Sequence, residues 1–353
     1  MRTGHRDRRS QNVARRLKPA LYTSLVCASV IAVTTVRAQQ VPTRRALESE
    51  WPETVKVENV EIVHVQKNVY MLVGGGANVT IQHGDEGVVI VDSGASGQTD
   101  RLLAAVRHLT RKPIRYLVNT GPDPDHIGGN GEIVKAAGAR LPMTGRAGGP
   151  PQNAGTSVIA HENTYNRMVD GTPLFPPLVG EALPESSFFT PRKDIFANGE
   201  PIQLLFQPNA HTDGDLFVFF RGSDVVSAGE IYRNDMYPVI DGSRGGSIQG
   251  ELAALNTLLD ITVPERNQMG GTRVVPAYGR VANEADILEY RDMLTIIRDR
   301  VQAMVAKGMT LQQVKAARPT LEYDGIYGMK PEWTGDMFLE AVYGDLSQQA
   351  EKK

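Results

Sequence analysis

Among its 353 residues the chain has a single cysteine, Cys27. It lies inside an apolar run near the N-terminus, so the remainder has no disulfide, no thiolate nucleophile and no cysteine-ligated zinc. Basic excess is missing too: the formal net charge is −2, which gives no positive footprint for nucleic acid. No Gly-x-Ser-x-Gly elbow, Gly-x-x-x-x-Gly-Lys phosphate loop or Gly-x-Gly-x-x-Gly fingerprint occurs, which removes the basis for serine-hydrolase, nucleotidase and dehydrogenase chemistry. Residues 286–346 carry no sustained heptad, so a coiled-coil partner surface is not expected. What is present is ordinary globular composition, with 41% hydrophobic and 22% charged residues.

The two ends differ in charge. Residues 1–38 hold eight Lys/Arg against one acid, Asp7, and the other 315 residues carry 30 bases and 39 acids, a net of −9. The basic stretch through Lys18 leads into an apolar run from Ala20 to Val33, shorter than the ~20 residues of a membrane-spanning helix but right for a signal-peptide core. Val36-Arg37-Ala38 reads as a cleavage site. Arg8-Arg9 is a poor twin-arginine match because Gln11 and Asn12 follow, and Val26 before Cys27 does not suit a lipoprotein site. The expectation is a signal peptide at 1–38, a loose arm at 39–55 and a secreted, periplasmic product without a stable membrane anchor.

From Val57 the pattern alternates strands and helices. Strands are expected at 60–65, 69–73, 77–83, 88–92 and 114–119, and helices at 98–110 and 131–137. Gly/Pro-rich segments at 138–157 and 171–195 read as inserted loops. Further strands are expected at 202–206, 216–220, 225–228 and 274–275, with helices at 247–259, 286–307, 310–317 and 333–346. Two strand-rich halves with helices outside each suggest an α/β fold, a four-layer αββα sandwich. The domain should span 56–285, with helices in 286–353 packed on it.

Five loops at strand ends offer polar side chains that a rigid scaffold could present. They are Asp92-Ser-Gly94, Thr120-Gly-Pro-Asp123-Pro-Asp125-His126-Ile-Gly-Gly, Ala210-His211-Thr-Asp213-Gly-Asp215, Ala228-Gly-Glu230 and Pro276-Ala-Tyr278-Gly. In isolation the second could be a turn whose aspartates cap the next helix. Together, their order and strand context resemble the metallo-β-lactamase superfamily over Val57 to Gly279, with its His-x-His-x-Asp-His-x-Gly-Gly motif after an Asn-Thr strand end.

That resemblance implies a metallo-β-lactamase fold and a two-metal site at seven positions. Only Asp125, His126 and His211 keep the family's residue. The first motif histidine is Gly121, the second is Asp123, the bridging aspartate is Glu230 and the final histidine is Tyr278. The expected metal ligands are therefore Asp123, Asp125, His126, His211, Glu230 and Tyr278. Asp125 also serves as proton acceptor, and Asp92, His161 and Asp215 support the site or line the pocket. A divalent metal is implied, zinc by resemblance, though the oxygen-rich donors favour Mn or another hard cation.

The expected activity is metal-dependent hydrolysis of a small ester, amide, lactone or phosphodiester. The alternative is a metal-poor member of the same fold that binds a small molecule without turnover. Substrate and oligomeric state are not legible, because one scaffold serves many reactions. If the leader is cleaved as described, N-terminal sequencing of the exported protein should begin near Gln39; a start at Met1 or Cys27 would refute it.

Overall fold

The computed structural model describes residues 54–138, 155–171 and 175–351, all within one unit, Pro52–Lys353. The expected signal peptide at 1–38, most of the arm and most of the loop at 138–157 lie outside the described residues. The first sheet has eight strands paired in chain order: β1 (Thr54–Val57), β2 (Val60–Gln66), β3 (Val69–Val73), β4 (Val79–Gly84), β5 (Gly87–Val91), β6 (Ile114–Val118), β7 (Ser157–His161) and β8 (Ser186–Phe188). Pairing is antiparallel through β5 and parallel from β5 to β8. β5 is Gly-Val-Val-Ile-Val and wholly buried, as a strand covered on both faces requires.

The second sheet runs β13-β12-β11-β10-β9, from β9 (Arg192–Ala197), β10 (Glu200–Phe206), β11 (Leu216–Phe220), β12 (Val225–Ser227) and β13 (Arg273–Val275). A short hairpin, β14 (Met329–Lys330) with β15 (Trp333–Thr334), completes the strands. The helices are α1 (Thr99–Leu109), α2 (Pro124–Ile127), α3 (Asn130–Ala136), α4 (Glu162–Asp170), α5 (Ile248–Ile261), α6 (Glu284–Ala306), α7 (Leu311–Ala317), α8 (Asp324–Tyr327) and α9 (Gly335–Glu351).

Three apolar cores separate four layers. Leu102, Leu103 and Val106 of α1 and Ile133 of α3 pack on Leu72, Ile81, Ile90 and Leu117. Between the sheets, Met71, Val89, Val91 and Val118 meet Ile202, Leu204, Val218 and Phe220. The third core joins Phe217, Phe219 and Val226 to Leu252, Leu255 and Leu258 of α5, Ile287, Leu294 and Ile297 of α6, and Phe338 and Val342 of α9. The helices beyond 286 thus share a core with the second sheet. This is the αββα sandwich, and none of its described helices is long and apolar enough to cross a membrane.

The structure departs from expectation at several short elements. Thr54 and Val55 are not part of an arm: they pair with Val63 and Ile62. The stretch 171–195 is not all loop, since β8 extends the parallel edge of the first sheet and β9 begins at Arg192. Pro184 and Pro191 masked these strands, yet both prolines flank β8 rather than interrupt it, and edge positions tolerate them. β7, only five residues long, was not expected as a strand, and it leads directly into α4, whose N-cap is His161.

Strand polarity assembles the loops. β5, β6 and β7 are parallel, so Asp92, the 119–130 loop and His161 leave one edge. β12 and β13 are parallel and β11 is antiparallel to β12, so the loop entering β11 and the loops leaving β12 and β13 share an edge. Leu216 N donates to Thr120 O at 2.9 Å, joining the two edges. Gly94 closes the first of these loops at φ +71°, where an added Cβ would sit 2.4 Å from Gly75 O. Both positive φ and the backbone clash oppose a side chain. Gly94→Ala should therefore lower unfolding free energy by about 2–4 kcal/mol in urea titration, and an unchanged midpoint would contradict it.

Candidate metal centre

His126 lies on α2, buried to 1% exposure. Its Nδ1 lies 2.7 Å from Asp92 Oδ2, and its Nε2 lies 3.1 Å from Glu230 Oε1. Burial disfavours the imidazolium, but the Asp92 carboxylate outweighs it, with Glu230 and Asp125 adding, so the histidine is held well above its usual pKa. Asp92 takes φ +63°, a conformation uncommon for a non-glycine residue that points its carboxylate at the site. It also accepts from Thr120 N at 2.8 Å and Thr120 Oγ1 at 2.7 Å.

Glu230 sits in the 3-10 turn Gly229–Ile231 after β12. Arg233 Nη1 donates to Glu230 Oε2 at 3.2 Å, while Arg233 Nε donates to Asp235 at 2.9 Å. Although burial raises the Glu230 pKa, its hydrogen bond to His126 and the charge of Arg233 prevail and hold it low. Tyr278, after β13, donates its hydroxyl to Asp125 Oδ2 and carries the Arg233 guanidinium 4.6 Å from its ring centroid. Asn78 pins this loop, donating from Nδ2 to Pro276 O at 3.0 Å and from its backbone N to Ala277 O at 2.7 Å, while Ala77 N donates to Asp125 O at 3.2 Å.

Ligand atoms of Asp125, His126 and Glu230 lie within 4.8 Å of one another. The donor set fits a divalent ion: one imidazole nitrogen and two carboxylates converge, and the histidine's other nitrogen is anchored on a carboxylate, as metal-ligating histidines usually are. Two oxygen donors to one nitrogen suit a hard cation better than a nitrogen-rich zinc site does.

Two of the other expected ligands, Asp123 and His211, form a second cluster, while Tyr278 stays with Asp125. Asp123 stands at the N-cap of α2 but makes no capping bond. Its side chain turns instead to His211, whose Nε2 is 3.0 Å from Asp123 Oδ2, and to Arg244, whose Nη2 donates to Asp123 Oδ1 at 2.7 Å. His211 Nδ1 lies 2.6 Å from Val239 O. Burial lowers the His211 pKa, but the Asp123 charge prevails and pushes it up to about 10. Asp123 is held well below the carboxylate range because His211 and Arg244 outweigh burial. Asp215, its oxygens receiving Thr212 N and Oγ1 at 2.7 Å each, is pushed up to about 6 by burial. Asp123 and His211 contact each other directly and Arg244 Nη2 lies against both, 2.7 Å from Asp123 Oδ1 and 3.4 Å from His211 Nε2, so this half does not fit an added metal as it stands.

His161 is held by its own neighbours. Its ring stacks on Phe206 at 3.6 Å between centroids, and its Nδ1 accepts from Asn163 N at 3.3 Å to cap α4.

Matches to known proteins agree with this architecture. The family model described as the metallo-beta-lactamase superfamily matches residues 72–262. The chain belongs to that superfamily. A linear primary-alkylsulfatase from Pseudomonas sp. is 24% identical over 246 residues, covering 64% of this chain and 46% of that enzyme. The stereoselective inverting sec-alkylsulfatase Pisa1 from Pseudomonas sp. superposes with a TM-score of 0.58 at 16% identity, over 80% of this chain and 49% of its own. A metallo-beta-lactamase from Pontibacter korlensis gives 0.50 at 16% identity, over 67% of this chain and 99% of its own. At such identities the structural likeness establishes the fold, and the chain spans about half the length of these alkylsulfatases.

Sequence reading missed four residues that shape this superfamily site: Thr120, Arg233, Arg244 and Glu251. Thr120 was visible as the Asn-Thr strand end, but the two arginines lie in irregular segments that no periodicity marks. Glu251, on α5, is fully buried with neither carboxylate oxygen hydrogen-bonded among the described residues. Burial first, then the nearby Asp215 and Glu230 charges, raise it well above the usual range. A group whose folded pKa exceeds its unfolded value takes up a proton on folding, so its contribution falls as pH rises above about 4.3, by up to ~1.4 kcal/mol per pH unit. Glu251→Gln should flatten that fall: between pH 5 and 8 its Tm should drop less than that of the unmodified protein, and parallel profiles would contradict the assignment.

Proposed function

We propose that this protein is a hydrolase with one divalent metal, acting outside the cytoplasm on a small ester-type substrate. The observation that carries the reading is the convergence of Asp125, His126 and Glu230 within 4.8 Å of one another. An ion held by those residues would acidify a water molecule and polarise the scissile group. Asp92 and Thr120 fix the ring of His126, and Arg233 fixes Glu230, so ligand geometry is set before substrate arrives. With one oxygen of Asp125 engaged by Tyr278, its Oδ1 is the atom proposed to take the proton released on attack.

The substrate class extends to sulfate esters beside the carboxylic ester, amide, lactone and phosphodiester classes. Support comes from the two alkylsulfatases that resemble the chain. The leader-like segment at 1–38 supports a periplasmic location. The rival reading, small-molecule binding without turnover, is favoured by a separate feature: Asp123 and Glu230 already have arginine partners in the protein itself.

Untagged protein should carry one divalent ion per chain by elemental analysis and hydrolyse at least one ester in a panel that includes alkyl sulfates, with Mn raising turnover. Asp125→Asn should lower kcat/KM by about 10²-fold or more. Asp92→Asn, which keeps the side chain's shape but weakens its hold on the His126 ring, should lower metal affinity about 10- to 100-fold. Protein without bound metal and inert on every substrate would support the binding module instead.

A further inference from the structure

The His211 half of the cleft has the outline of a metal site with a different cation in it. Arg244 Nη2 lies 2.7 Å from Asp123 Oδ1 and 3.4 Å from His211 Nε2, facing both side chains that would have to turn to an ion. Ligands hold zinc at about 2.0–2.2 Å, so an ion shared by those atoms would overlap the guanidinium nitrogen. The arginine is built in rather than draped over the surface. Asp241 caps the 3-10 turn Gly242–Arg244 through its Oδ1 and accepts from Arg244 Nε at 2.7 Å through Oδ2. The segment is pressed onto the His211 loop: Asp213 N donates to Arg244 O at 2.9 Å, and an added Cβ at Gly246 would lie 2.1 Å from His211 O. The arginine side chain retains 16% exposure.

Gly121 bears on the same point. An added Cβ there would meet Asp215 Oδ1 at 3.4 Å and Asp123 Oδ2 at 3.9 Å, ordinary contacts, so the backbone still aims position 121 at this half. A side chain could stand there, and none does.

We infer that Arg244 takes the place of one of the two metal ions, so that the centre pairs a single exchangeable ion at Asp125, His126 and Glu230 with a permanent guanidinium at Asp123 and His211. This rests on the single-metal reading only for the ion beside it. The exclusion of a second ion stands on Arg244 alone.

The test compares zinc stoichiometry, by elemental analysis and calorimetric titration, with melting curves as the check on folding. Arg244→Gln should bind one more zinc ion per chain than the unmodified protein, with a zinc-dependent rise in Tm absent from Arg244→Lys, whose ammonium keeps the charge. Adding Arg244→Gln to Gly121→His/Asp123→His should likewise raise zinc by one ion per chain over the double variant. If the double variant with Arg244 intact already takes the additional ion, or if Arg244→Gln gains none alone or in the triple variant, the inference is overturned. The single-metal reading is judged separately, from the count in unmodified protein, whereas the inference is judged from the increment.

Discussion

Burying several carboxylates in one cleft is the constraint on which the rest of this architecture depends. A charge taken from water is costly unless it is paired and hydrogen-bonded. Asp92 is met by Thr120 and His126, Glu230 by His126 and Arg233, Asp123 by His211 and Arg244, and Asp215 by Thr212. Each pairing joins two loops or ties a loop to its own turn, so electrostatic compensation and loop geometry have the same cause. Among the described residues Glu251 lacks such a partner, and the resolution open to it is to stay protonated.

That bookkeeping explains why the two halves of the cleft differ in character. His126 is held between acids on both of its nitrogens, and the third member of its cluster, Asp125, receives among the described residues a tyrosine hydroxyl on its side chain and no cationic partner. This half has anionic capacity left for an ion. Asp123, by contrast, is closed on one oxygen by an imidazole and on the other by a guanidinium. Carboxylate with arginine is a bidentate-capable, geometrically defined pairing, whereas imidazoles in both positions would leave an arginine there without an anion.

The sandwich was legible because its strongest signals are long-range averages. The apolar run at 88–91 and the 3.6-residue spacing on α1 and α5 depend on many residues at once. β8 and β9 were illegible for the opposite reason, since three residues beside prolines and an alternating edge strand lack a propensity signal above that of a loop. The loop set was legible through its resemblance, which put Asp92, Asp125, His126 and Glu230 at one edge. What no linear reading could supply is which loop residue faces which: the Asp123 that looked like a cap is turned to a histidine 88 positions away. His161 differs: the resemblance put it near the pocket, whereas an aromatic stack and a capping bond engage its ring, as a structural histidine opening a helix would.

The departures at 121 and 123, taken with Arg244, make sense as one exchange rather than two losses. A divalent ion takes nitrogen or oxygen donors and brings two positive charges, while a guanidinium brings one and needs an anion to oppose it. Gly121 removes a nitrogen donor, Asp123 exchanges a second for a carboxylate, and Arg244 supplies the cation that this carboxylate requires. The result is a cleft whose positive field comes partly from the chain itself. That part persists whatever metal the surroundings offer, and it polarises less strongly than a second ion would. Under the proposed single-metal reading, chemistry in such a cleft would depend on the ion at Asp125, His126 and Glu230 for activation and on the fixed charge for holding an anionic or developing-anionic group beside it.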